Sequence, residues 1–167
     1  MKTNLLMDFS VDKPNRRITV KREFAAPVER VWAAWTQSEL LDKWWAPKPW
    51  KAETKTMDFS EGGLWLYAMV SPENERHYSR ADYQTISKPQ GFTSVDAFCD
   101  ENGNLNSDFP QMHWQTGFTD AGGATFVDII ITFESEEELE KIMAMGFKEG
   151  FTMGLSNLDE LFEQERG

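Results

Sequence analysis

The sequence predicts an α+β fold in which a curved antiparallel sheet of six or seven strands closes around one long C-terminal helix. Three observations carry this. Five segments built from Gly, Asn, Asp, Ser and Pro, at 60–63, 71–74, 88–91, 100–103 and 120–123, supply hairpin connections where positive φ is needed. The segments between them have strand length and are rich in aromatic and β-branched residues. Finally, Glu136 to Gly167 carries apolar residues at helical spacing, and a sheet of this size needs such a helix to cover its inner face.

The elements follow in order. A first strand spans about 16–24. Ala26-Pro27 then opens a helix with Val28, Val31, Trp32 and Trp35 on one side, because proline is pre-organised for a first helical turn. Ser38 is placed to cap a second short helix, Glu39 to Trp44, so two short helices separate the first two strands. Strands follow near 51–59, 64–70, 76–87, 91–99, 112–119 and 124–134, and short connections make neighbours antiparallel. In 64–70, Trp65, Tyr67 and Met69 alternate with Leu64, Leu66 and Ala68, and the bulky set suits a wide concave face. The polar stretch 104–113 is longer than the other connections, and such a loop either borders a site or is a tolerated insertion.

The C-terminal helix is unusual in its glycines. At helical spacing Gly146, Gly150 and Gly154 share a face with Leu139, Ile142, Met143, Phe147, Met153, Leu158 and Leu161. Each interior glycine costs roughly 0.8–1 kcal/mol relative to alanine. The missing volume either lets another backbone approach closely or remains open as a cavity.

Composition bounds the function. A chain of 167 residues, 40% hydrophobic and 13% aromatic, is one domain over 1–167 with its core at about 16–164. A net charge of −11, without a basic cluster long enough to follow a phosphate backbone, argues against nucleic acid and anionic membrane as partners. Cys99 is the only cysteine, which excludes an internal disulfide and a thiolate metal cage and fits a reducing compartment. The opening MKTNLLMDFS has too short an apolar stretch for a signal-peptide core, and no apolar run reaches bilayer length, so a cytoplasmic protein is expected.

Several stretches together resemble a known family. Thr19 to Thr36, Leu40 to Pro47, Met57-Asp58-Phe59 with Gly62-Gly63-Leu64-Trp65, Ser71-Pro72-Glu73, and Gly150-Phe151 with Leu155 and Leu158 are similar to the heat-shock-protein-90 ATPase-activator homologues. That family lies within the START-like, or SRPBCC, helix-grip superfamily, and the resemblance runs over about 16–164. It implies a helix gripped by a curved sheet, with a cavity between them that holds hydrophobic molecules. Chaperone-activating members carry a second, N-terminal domain, whereas about fifteen residues precede the first predicted strand here.

The expected partner is therefore a small hydrophobic molecule, bound or sensed without a cofactor. The expected lining is Trp44, Trp45, Trp65, Tyr67, Met69, Tyr83, Phe98, Trp114, Phe147, Gly150 and Met153, with Asn157 as a polar handle. Trp44 and Trp45, in the stiff aromatic-proline stretch that ends at Trp50, serve either as a cavity rim or as core. Neither His77 nor His113 has a partner at metal-ligand spacing, so no metal is expected. Asp96 is the weak catalytic candidate: it shares a strand face with Phe92 and Phe98, and is a lone carboxyl in the cavity if that face points inward, a solvated one if outward. Two further classes stand beside binding: a cyclase- or hydratase-like enzyme using that carboxyl, and a co-chaperone-like interaction module.

Overall fold

Alternating side chains and tight turns generate a single open sheet of eight strands, every neighbouring pair antiparallel, in the computed structural model, which describes residues 5–166. The strands are β1 Met7–Asp12, β2 Arg17–Phe24, β3 Lys51–Met57, β4 Leu64–Val70, β5 Arg76–Ser87, β6 Gly91–Cys99, β7 Met112–Asp120 and β8 Thr125–Thr132. Their order across the sheet is β1-β2-β8-β7-β6-β5-β4-β3. Helices α1 Val28–Thr36 and α2 Ser38–Trp44 connect β2 to β3, and α3 Glu136–Ala144 and α4 Phe147–Arg166 follow β8. The curved sheet grips α4, which makes this a helix-grip fold.

Three expectations are corrected. The sheet has eight strands, not six or seven, because Met7–Asp12 pairs with β2 and adds an edge. Its Asp8, Ser10 and Asp12 face solvent while Met7 and Phe9 are half-buried, the polar outward face that keeps an edge strand from pairing further. The two short helices therefore lie between the second and third strands. Ser38 does not cap α2 but is its first residue, with Gln37 at the cap and the Ser38 hydroxyl donating to Glu39 Oε1 at 3.1 Å. Lastly, the long helix is two. α3 is capped by Ser135, whose Oγ accepts from the Glu138 N–H at 3.2 Å, and it stops where Gly146 takes φ +87°, a left-handed conformation open to glycine but strained for other residues.

α4 lies across the concave face through Phe24–Phe162 and Trp114–Phe151 ring contacts at 5.8 and 5.5 Å, and an Arg22–Asp159 ion pair ties it to β2. At one end Trp44, almost fully buried, donates from Nε1 to Ala34 O at 2.9 Å and packs edge-on against Trp35. Asn157 pins the chain that leaves α2 onto α4, donating from Nδ2 to the carbonyls of Trp44 and Ala46 at 3.3 and 3.0 Å. Among the described residues no helix is long and apolar enough to cross a membrane.

Candidate functional site

Between the sheet and α4 lies a cavity of about 770 Å³. Four strands wall it, since period-two alternation sends one set of side chains inward: Tyr67 and Met69 of β4, Ser79 of β5, Asp96 and Phe98 of β6, and Trp114 of β7. Trp45, just beyond α2, and Phe147, Gly150 and Phe151 of α4 complete the inner wall. The mouth is formed by Trp50, Arg76, His77 and Glu101, with Asn106 and Phe109 from the long loop, so the loop borders the cavity. Arg76 is engaged by Glu53 at 2.8 Å, and the His77 ring packs on Trp50 at 5.5 Å.

Of the residues expected to line the cavity, Trp45, Tyr67, Met69, Phe98, Trp114, Phe147 and Gly150 are brought together around it. Trp65 and Tyr83 lie behind this wall, around a second void of about 20 Å³ that also touches Trp45, Asp96 and Trp114. The remaining three are elsewhere. Trp44 is core, because successive helical residues point about 100° apart and only Trp45 can face the cavity. Asn157 spends its amide on two backbone carbonyls, and Met153 is 43% exposed on the outer side of α4.

The three glycines have three different reasons. Gly146 terminates α3. A Cβ at Gly154 would come within 3.1 Å of Trp45 O and 3.4 Å of Trp44 O, so this glycine permits close backbone approach. A Cβ at Gly150 would meet only Pro47 Cγ, at 3.7 Å, and this glycine alone keeps space open in the cavity.

Asp96 lines both voids. It faces inward, and what surface it retains opens into the voids it lines. Ser94, two residues earlier on the same face, donates from Oγ to Asp96 Oδ1 at 2.7 Å. No protein partner is found for Oδ2 among the described residues. Burial pushes the carboxyl up to about 7, against the Ser94 hydrogen bond, and the charge of Asp82 acts in the same direction as burial. Such a group exchanges protons near neutrality. Burial also raises the Tyr67 and Tyr83 hydroxyls well above their ordinary range, with Asp96 as the second cause in each. Tyr67 accepts from Trp45 Nε1 at 3.0 Å, which fixes the two rings as one wall. Sequence reasoning missed Ser94 and Phe151 as parts of the site. Strand alternation from Asp96 and the i to i+4 step from Phe147 were the signals that lead to them.

Among the described residues no group of three or more His, Cys, Asp or Glu gathers to hold a metal. His113 stands at the surface, 3.6 Å from Glu134.

The model of the family described as activator of Hsp90 ATPase homolog 1-like protein matches residues 25–163. Comparison with curated proteins gave no match. Among solved structures, the chain is similar to a Mycobacterium smegmatis protein, with 30% identity, TM-score 0.86, and 95% of this chain and 96% of that one covered. An Arthrobacter aurescens protein is also 30% identical, with TM-score 0.89 over 94% of this chain and 91% of that one. A Staphylococcus epidermidis protein is 27% identical, with TM-score 0.82 and 95% of each chain covered.

Proposed function

The chain belongs to the family of activator of Hsp90 ATPase homolog 1-like proteins, and from that premise we propose that it binds a small, largely hydrophobic molecule between its sheet and α4. The observation that carries this reading is the composition of one space: about 770 Å³ whose inner wall is mostly aromatic rings, with the Asp96 carboxyl projecting from β6 and the charged residues Arg76, Asp100 and Glu101 also on its lining. That volume is within the ordinary range for small-molecule sites, which are mostly apolar with a few placed polar groups. The rings supply area, and Asp96 supplies orientation. A ligand carrying one hydroxyl, carbonyl or amine at its buried end can meet the free Oδ2.

Native mass spectrometry of the purified chain, followed by organic extraction, tests this directly. A co-purifying small molecule, or saturable uptake of the neutral dye N-phenyl-1-naphthylamine, is the expected result. Wild-type protein that is empty and takes up neither dye nor any member of an apolar ligand panel overturns it.

One observation favours a second reading. A carboxyl that titrates near neutrality inside a cavity can take and return a proton, as an acid–base enzyme of the cyclase or hydratase kind requires. A substrate screen decides. An activity that Asp96→Asn abolishes while dye uptake survives establishes turnover, and its absence leaves binding alone.

A further inference from the structure

Two indole N–H groups, those of Trp35 and Trp114, are buried without a protein acceptor among the described residues. Both rings are more than nine-tenths buried, at 4% and 6% exposure, so neither N–H is served by bulk water. Leaving a buried donor unpaired is costly, and native proteins rarely do it. Both rings border the void of about 20 Å³ behind Asp96. A void must offer roughly 10–15 Å³ to hold a water, together with two to four polar partners. This one has room for one molecule. Besides the two tryptophan rings, its wall includes Asp96, Ser94, Tyr83 and Thr116, each with an oxygen able to accept.

We propose that this void is a built site for a single internal water, which accepts hydrogen bonds from Trp35 Nε1 and Trp114 Nε1 and donates to Asp96. Water fits the chemistry because its two lone pairs match two donors and its two hydrogens match the acceptors beside them. Asp96 then has the water on one side and the large cavity on the other. The water makes a fixed polar floor out of three side chains that sequence spacing does not connect: Trp35 on α1, Asp96 on β6 and Trp114 on β7. The proposal does not rest on ligand binding, and it stands or falls separately from it.

The competing arrangement is also defined by the packing. Trp35 lies edge-on to Trp44, Trp45, Phe118 and Phe151, with centroids 4.8 to 6.5 Å apart, so its N–H could instead point at a ring face. Nuclear magnetic resonance on the full chain with 15N-labelled indoles separates the two. The expected result is a cross-peak from both Trp35 and Trp114 Hε1 to water, with the sign of a molecule held longer than overall tumbling. Exchanging hydroxyls of Ser94, Tyr83 or Thr116 can imitate that signal. A high-resolution crystal structure supplies the second readout, a single density peak within about 3.2 Å of both indole nitrogens. In Trp114→Phe, which removes one donor, the Trp35 cross-peak should weaken several-fold. Strongly upfield indole protons with no water cross-peak, an empty void at high resolution, or a Trp35 signal indifferent to Trp114→Phe would each overturn the proposal. The wild-type measurements decide even if the variant fails to fold.

Discussion

Asp96 places an ionisable group where an apolar one would cost the fold less, and its titration makes that cost measurable. Its pKa moves from the ordinary 3.8 to about 7, mainly through burial. Below about pH 4 the carboxyl is protonated in both folded and unfolded chains. As pH rises from there towards 7, the unfolded chain releases a proton that the fold retains, so stability falls across this window, and above it the loss is complete. Asp96→Asn keeps an oxygen for Ser94 Oγ and cannot ionise. In urea unfolding at pH 4.5 and pH 8, the variant should gain on the parent as pH rises and exceed it at pH 8. A constant difference between the two proteins at both pH values would contradict an inward, largely desolvated Asp96. Asn157 is the opposite case, a polar side chain whose use is purely structural. Asn157→Ala strands two buried carbonyls and should cost roughly 1–3 kcal/mol in denaturant midpoint analysis, while leaving dye uptake per folded molecule unchanged.

The glycines of the C-terminal region show how identical residues at helical spacing acquire different roles at the scale of an element. Alanine at Gly146 must adopt φ +87° or unwind the junction of α3 and α4, and should destabilise by roughly 1–2 kcal/mol. Alanine at Gly154 presses on the Trp45 carbonyl and should cost roughly 1–3 kcal/mol by overpacking. Alanine at Gly150 meets only the edge of Pro47 and should stabilise α4 by up to about 1 kcal/mol through helix propensity. Thermal unfolding of the three variants checks this order, and a destabilised Gly150→Ala would mean that the space beside Gly150 is not open. The sequence could not separate these cases, because spacing reports which face a residue occupies but not what stands opposite. Strands were far more legible: turn segments with Gly, Asn and Asp placed six of them within two residues of their observed ends, along with Arg17–Phe24. The edge strand Met7–Asp12 escaped because its outward residues are acidic or hydroxylic, as an exposed edge requires. The fourfold character of Trp44, Trp45, Trp65 and Trp114, one in the core and three around two voids, depends on tertiary neighbours and was not written in any one segment.

At the scale of the whole molecule, the sheet's curvature leaves more space under α4 than this chain's side chains fill, and the aromatic walls keep that space apolar. An apolar ligand of drug size that buries its surface there gains about 25 cal/mol per Å², less the cost of ordering it, which corresponds to micromolar affinity. At one hundred times its Kd such a ligand stabilises the fold by about 2.7 kcal/mol. For a chain of 167 residues this amounts to a rise in Tm of roughly 5–11 °C. The neutral dye should therefore raise the wild-type Tm by that order as it saturates. Gly150→Leu projects four carbons from α4 into the cavity, where a side chain at this position meets only Pro47 Cγ at its root. It should abolish both the dye's fluorescence gain and its thermal shift while the apo protein remains folded. Met153, which faces solvent one helical turn away, supplies the control: Met153→Leu should leave uptake intact. If Gly150→Leu folds and still shows the wild-type shift, the dye binds elsewhere and the space beneath α4 is not the ligand site.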